Sequence, residues 1–389
     1  MSVLLVVIGV VAIGCDSDKP MKHPESTAGI TFDSSASLPA SDRAKLRRSI
    51  SPLLRAWQTK VHAAGAQLAL TDGTSTIEFA SGQASRKPAR NMTIDDQLRI
   101  ASASKTLVAA VALQLVEEDT VSLDETIDPW FPNLPQSDHI TIRMLLNHTS
   151  GVPDYLESDA FDTIPEGPNH PWPHRGAVTA ASSMDRAFAP GDAHEYSNTN
   201  YHLLGLIIES ETGMSLHHEI QERLLSPLHL GASTLDAGRG PHQTTTRGYD
   251  ADGVDVSNSA YGPSSAWRTA GWADGPAIMT AEDLATWGYD LLATSEVLQS
   301  ETRTAMTTPA LRTEDGNGLG IFGDDPVRNG HYTALSHSGG DIGFESLVIY
   351  YPDLEVSVAV IINSETSDDA PAPNSLTRRA AELYAQQTR

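Results

Sequence analysis

Lysine is scarce in this chain, and none follows Lys105. Only six occur among 389 residues, at positions 19, 22, 45, 60, 87 and 105. Lys and Arg together number 26 against 50 Asp and Glu, a formal net charge of −24. That balance argues against nucleic acid and anionic membrane surfaces as partners, and a solvated acidic surface accounts for it. Cysteine is nearly absent: with Cys15 alone, no intrachain disulfide can form. No Gly-x-Ser-x-Gly elbow occurs, nor a phosphate loop, a dinucleotide fingerprint or an internal repeat. His218-Glu219-Ile220-Gln221-Glu222 lacks the second histidine of a zinc protease helix, and His170 and His174 stand in a Pro-rich stretch without ligand spacing. Neither a metal nor another cofactor is expected. Charged residues make up 20% and hydrophobic residues 40%, so the body is globular, with enough chain for one large domain or two.

The one long apolar run is Val3–Gly14, of signal-peptide length and short for a membrane span. Gly14-Cys15 followed by Asp16-Ser17-Asp18 resembles a bacterial lipoprotein cleavage site, with Cys15 lipidated and first in the mature chain. Ala12 stands where such sites usually carry leucine, and Met1-Ser2 supplies no basic residue. Export by another route, or a cytosolic start, are the alternatives, and a start placed too far downstream would explain the missing basic residues. Residues 1–15 are thus assigned as leader, and 16–38, rich in Ser, Asp, Pro and Lys, as a flexible tether.

Helical patterning follows from about Ser41 to His62, with Ile50, Leu53, Leu54 and Trp57 on one face. Ala66–Leu70 and Thr76–Ala80, around Thr71-Asp72-Gly73-Thr74, read as a hairpin. Leu107–Val116 is apolar except for Gln114, which predicts a helix buried all round. Thr141–His148, Thr199–Thr212, Leu216–Leu225 and Thr280–Ala293 read as helices, and Gly151 to Gly191 as surface excursions. Strand-like runs come at Gly318–Phe322, His331–Ser336, Phe344–Tyr351 and Val356–Ile362, before a last helix over about 370–386. With strands at both ends and helices between, the expected architecture is α+β. One antiparallel sheet forms from both chain ends, flanked by helices, with an inserted all-helical lobe. The hydrolase domain then spans 39–389, its sheet lobe about 39–95 and 255–389 and its helical lobe about 96–254. A site is expected where the lobes meet.

Three segments carry chemistry. In Ser102-Ala103-Ser104-Lys105, serine and lysine three apart on a helix share a face. The amine can take the hydroxyl proton only if burial or nearby charge lowers its pKa. In Tyr196-Ser197-Asn198, the phenol can relay that proton if a neighbouring cation lowers its pKa of about 10. Asn198 offers an amide to a substrate backbone, although Ser, Asn and Thr here also suit a helix N-cap. His337-Ser338-Gly339-Gly340 ends a strand-like run, where glycines admit close backbone approach and a freed N–H can face an oxyanion. Alone, it reads more readily as a hairpin turn. Phe161 and Trp172 either line the cleft or, as is commoner, pin their loop to the body.

Together these segments resemble the serine β-lactamase and penicillin-recognising hydrolase family, nearest the D-alanyl-D-alanine carboxypeptidases and the related class C β-lactamases and esterases. Leu145-Leu146-Asn147-His148-Thr149-Ser150-Gly151, Leu203–Glu209, Pro227-Leu228 and Gly318-Leu319-Gly320 extend the likeness from about Ile50 to Ile362. The resemblance implies a β-lactamase/transpeptidase-like fold, Ser102 as acylated nucleophile, Lys105 as its base partner and Tyr196 as catalytic tyrosine. It implies substrate contacts from Asn198, His337, Ser338 and Gly339, and an oxyanion hole from the backbone N–H groups of Ser102 and Gly340. Many relatives carry lysine where His337 stands, so the third motif points away from typical β-lactamases towards His-type peptidases and esterases. A protonated His337 would hold a terminal carboxylate.

The expected function is acyl-enzyme hydrolysis of small peptides or esters, foremost D-alanyl-D-alanine carboxypeptidase-like cleavage of cell-wall peptides. Esterase or amidase, then β-lactamase, are the enzymatic alternatives, and a non-catalytic peptidoglycan or penicillin sensor the non-enzymatic one. The protein would sit on the outer face of a bacterial membrane through Cys15, with a monomer expected and the oligomeric state left open.

Overall fold

The structure is a computed structural model, described for residues 31–34, 38–164, 170–236, 246–257, 265–312, 316–324, 332–367 and 369–388. The leader, Cys15, most of the tether and His331 lie outside the described residues.

Among the described residues the main sheet has eight strands, all antiparallel. The first four are β1 (Thr31–Ser34), β2 (Gly65–Thr71), β3 (Thr76–Arg86) and β4 (Ala89–Asn91). A smaller sheet pairs β5 (Leu98–Arg99) and β6 (Thr234–Leu235) with β7 (Ala277–Met279). The main sheet resumes with β8 (Phe322–Asp324), β9 (Ala334–Asp341), β10 (Phe344–Tyr351) and β11 (Val356–Ile362). Its order is β1-β3-β2-β11-β10-β9-β8, with β4 on β3, so N-terminal and C-terminal strands meet where β2 pairs with β11.

Every residue of β2 and β11 is buried, because helices cover both faces. Strand period decides which side chain meets which layer. Leu68, Leu70, Val358 and Val360 face helix α1 (Ala40–Lys60) and the Asn374–Thr388 helix, meeting Ile50, Leu54, Leu376 and Tyr384. Ala69, Ala359, Ile361 and Val348 face the other way, onto Leu284, Trp287 and Leu291 of the Ala281–Ala293 helix. That second layer runs on into helix α2 (Lys105–Glu117), buried from Lys105 through Leu113 as its apolar sequence requires.

Several boundaries differ from the sequence expectation. Gly318–Ile321 is a turn leading into β8, with Gly320 at φ 78°. The helical region contains the short strands β5 and β6. Leu216–Ile220 is α-helical, and Gln221–Leu225 continues it with π-type turns. His337–Gly340 lies within β9, and the turn falls later, between Asp341 and Phe344. The Gly151–Gly191 stretch is not wholly a surface path: Tyr155 and Trp172 are buried, stacked at 5.8 Å with Phe161 edge-on to both.

This frame holds the Ile100–Ser104 turn between β7 and β9–β10. Ile100 donates its N–H to the Ala277 carbonyl at 3.1 Å and accepts from Ser346 Oγ at 2.6 Å. Ser104 Oγ accepts the Ala277 N–H at 3.0 Å, so this serine is structural. Gly339 passes so close that a Cβ there would lie 2.1 Å from the Ile100 carbonyl oxygen, whereas one at Gly340 would meet nothing within 4 Å. Gly339→Ala should therefore lower stability by about 1–3 kcal/mol, as overpacking does, while Gly340→Ala should be nearly neutral. Thermal unfolding of the two variants checks this, and equal effects would contradict the packing.

Candidate active site

Ser102 sits in a 3-10 turn, Ala101–Ser104, that feeds directly into α2. Ala101 takes φ 46°, a left-handed conformation that costs a non-glycine residue about 1–2 kcal/mol. The clamp from β7, β9 and β10 offsets that cost and turns the Ser102 side chain into a pocket. Tyr155, Asn198, Trp267, Asp274 and Asp341 also line this pocket, and no Lys, Arg or His does so among the described residues.

Lys105 is fully buried. Its Nζ donates to Ser102 Oγ at 2.9 Å, Asn198 Oδ1 at 2.8 Å and the Asp274 carbonyl at 2.7 Å. Three acceptors satisfy an ammonium. A neutral amine would keep the two bonds to Asn198 and Asp274 and turn its lone pair to the Ser102 hydroxyl, so losing one proton makes a base without moving an atom. Burial pushes the Lys105 pKa down to about 8, against the upward pull of Asp274, Asp154 and Asp341. A lysine base is thus poised near neutral pH.

Tyr196 lies beside Ser102, whose side chain favours the ionised phenol, and Lys105 Nζ lies 5.2 Å from its ring centroid. Its pKa is not lowered as the sequence reading required. Burial pushes it well up, the Asp274 and Asp154 charges add to this, and Ser102 only partly opposes them. Tyr196 is a neutral phenol, able to pass a proton on but not to serve as a resting phenolate.

Ser197 occupies the N-cap position of the Asn198–Thr212 helix, but its side chain makes no capping hydrogen bond, so the capping reading of this motif holds for position only. Both ends of the Asn198 amide are engaged within the protein: Oδ1 takes Lys105, and Nδ2 donates to Asp154 Oδ2 at 2.7 Å. Asp154 also accepts the Asn198 and Leu156 N–H groups at 3.1 Å each. Burial would raise the Asp274 carboxyl, but the His202 hydrogen bond, the Lys105 charge and the Tyr155 hydroxyl at 3.1 Å hold it below its usual range.

His337 corrects the expectation of a cationic anchor. It is buried, and its Nδ1–H donates to the Ser338 carbonyl at 2.6 Å. Burial, reinforced by the Lys105 charge, pushes its pKa down to about 3, so no positive charge is available to a carboxylate at working pH. Ser338 and Gly340 are exposed on β9 beyond its pairing with β8, and Gly339 packs against the nucleophile turn. Phe161 and Trp172 pack behind Tyr155 and pin their loop rather than lining the pocket. Sequence reasoning gave no part to Asp154, Tyr155, Trp267, Asp274 or Asp341. Asp154-Tyr155 follows closely on Leu145–Gly151, a usable signal, whereas Asp274 in Trp272-Ala273-Asp274-Gly275 has none.

A sequence model of the family described as Beta-lactamase matches residues 50–382. The chain belongs to that family. Penicillin-binding protein 4* of Bacillus subtilis (strain 168) is 24% identical over 322 residues, 77% of this chain and 68% of the relative. The β-lactamase-family fold is shared with D-amino acid amidase from Ochrobactrum anthropi SV3, solved with L-phenylalanine amide. That comparison has a TM-score of 0.76 and 25% identity, covering 88% of this chain and 100% of the amidase. A D-stereospecific amidohydrolase from Streptomyces sp. matches with a TM-score of 0.71 and 27% identity, covering 86% of this chain and 98% of its own. The protein is a serine hydrolase of the β-lactamase and penicillin-binding type.

If Lys105 is the base, acylation should rise with pH and level off above a midpoint near 8. Asp274→Asn removes a charge that holds this pKa up, so the midpoint should fall. Stopped-flow acylation by a neutral ester from pH 6 to 10 measures both, and an unmoved midpoint would remove Asp274 from the electrostatic account.

Proposed function

We propose that this hydrolase cleaves amides and esters of D-amino acids through an acyl-enzyme on Ser102. The neutral amine of Lys105 takes the Ser102 proton as Oγ attacks the carbonyl carbon. Backbone N–H groups of Ser102 and Gly340 receive the developing oxyanion. Tyr196, beside Ser102, passes its proton to the departing amine or alcohol as the C–N or C–O bond breaks, and takes in its place the proton that Lys105 removed from Ser102. Water then attacks the Ser102 ester carbonyl, and its proton passes through Lys105 and Tyr196 to Ser102 Oγ as the Oγ–C bond breaks and the acid leaves. Asn198 and Asp154 hold Lys105 in place.

The observation that carries the choice of substrate is the charge of the pocket. With His337 neutral, Lys105 engaged by Ser102, Asn198 and Asp274, and Asp274 and Asp341 on the walls, no Lys, Arg or His among the described residues lines the pocket to pair with a substrate's terminal carboxylate. This favours amides and esters over acyl-D-alanyl-D-alanine, and the two structural relatives whose names specify D-amino acid amides or D-stereospecific amidohydrolysis support it. The carboxypeptidase reading retains the support of the Bacillus penicillin-binding relative and stands second.

Turnover of D-alanine amide and a D-alanine ester should exceed that of a diacyl-D-alanyl-D-alanine peptide by at least about tenfold, which is about 1.4 kcal/mol of transition-state binding. Ser102→Ala should abolish all of it, and intact mass should find the acyl group on Ser102, not Ser104. Faster cleavage of the acid-terminated peptide would restore the carboxypeptidase reading.

We also propose an extracytoplasmic location through Cys15. No helix among the described residues is long and apolar enough to cross a membrane. Fractionation of cells making Cys15→Ser should move the protein from membrane to soluble fraction, or retain it with its leader uncleaved. A wild-type protein already soluble and without an acyl chain would overturn the lipid anchor.

A further inference from the structure

His148 lies in Leu145–Gly151, outside the three chemical motifs, yet it grips the tyrosine segment at three points. Its carbonyl accepts the Glu195 N–H at 3.0 Å. Its Nδ1 receives the Ser197 N–H at 3.2 Å and Asn200 Nδ2 at 3.2 Å. Its ring stacks on the Tyr196 ring at 4.3 Å between centroids and 28° between planes. The residue is buried and held at φ 61°, a left-handed backbone that histidine adopts at a cost. Asn200 is itself fixed, since its Oδ1 accepts from Ser150 Oγ at 2.6 Å.

Two N–H donors converging on Nδ1 require that nitrogen to be an acceptor, so the imidazole is neutral with its proton on Nε2. Burial favours the same state, as do the facing groups Lys105 and His194, while His337 beside them is neutral. No other side chain combines a flat ring under Tyr196 with an acceptor for Ser197. Phenylalanine would leave the Ser197 N–H without its partner, and asparagine would keep an acceptor but remove the ring.

We propose that His148 is a positioning residue for Tyr196: its ring and Nδ1 together fix residues 195–200 so that the phenol reaches Ser102 while Asn198 reaches Lys105. This rests on the reading that Tyr196 relays a proton at Ser102. Stacking limits tilt of the phenol, and the bond to Ser197 fixes the chain immediately after it. Misplacement of a catalytic group by about 1 Å can cost about 100-fold in rate, so a residue that touches no substrate can still control turnover.

The test is a double-mutant cycle on hydrolysis of a D-amino acid ester, using the full chain. His148→Asn tolerates the left-handed backbone and keeps an acceptor, so it removes chiefly the ring. Alone it should lower kcat by about 10- to 100-fold with KM little changed. In a Tyr196→Phe background it should cost less than about threefold more, because there is no phenol left to position. A purely structural role would multiply the loss equally in both backgrounds and overturn the proposal, as would full activity of His148→Asn alone. Should His148→Asn fail to unfold cooperatively on heating, Asn200→Ala, which removes one of the two donors to Nδ1, carries the same comparison with a smaller first loss. Wild-type activity in Tyr196→Phe itself would overturn the relay reading and the positioning role together. A slow Tyr196→Phe with multiplicative His148→Asn losses would overturn the positioning role alone.

Discussion

The removal of one ammonium from water organises this site. Lys105 opens a helix that is buried through most of its length, and burial destabilises its charged form. Left alone, the amine would be neutral and without well-placed partners. The fold instead surrounds it with three acceptors at hydrogen-bond distance and sets Asp274, Asp154 and Asp341 where their charge partly restores the cation. The balance falls near pH 8, where both protonation states are within reach of ordinary conditions. The same burial acts in the opposite sense on Tyr196, which stays protonated. Proton abstraction and proton relay are therefore divided between two groups whose environments push them apart.

Position depends on the same packing. The left-handed Ala101 ahead of the nucleophile is held by contacts that come from distant parts of the sequence: Ala277 in β7, Gly339 in β9 and Ser346 in β10. The third motif thus has a structural duty, since a side chain at position 339 would strike the Ile100 carbonyl. Asn198 belongs to this group as well, spanning from Lys105 to Asp154. Motif residues that look like substrate contacts are here largely occupied in holding the base and the nucleophile.

Much of this was legible in the residue order. A serine and lysine three apart before an unbroken apolar run announced both the reactive pair and the burial it needs. Alternating and continuous apolar runs at the two chain ends gave a sheet whose β10 and β11 have the limits read from the sequence, because buried strands leave little freedom in pattern. The ionisation of His337 and Tyr196 was misread, since a side chain's pKa depends on its surroundings in three dimensions and the sequence carries only its reference value. His337 was expected to be a protonated anchor for a carboxylate and is a buried neutral ring. Asp274 and Trp267 could not be found from sequence because no local pattern marks a residue whose partners lie more than 70 positions away. His148 was visible within a motif, but its part emerges only once the Tyr196 ring lies against it.

The central claim is that burial brings the Lys105 amine into the neutral pH range within the resting protein. Nuclear magnetic resonance of the lysine side chains reads this directly, with Lys105→Arg assigning the signal among the six lysines. One lysine should titrate with a midpoint near 8 and vanish from the spectrum of that variant. If all six instead titrate above about 10, Lys105 is an ordinary ammonium and cannot be the base at Ser102.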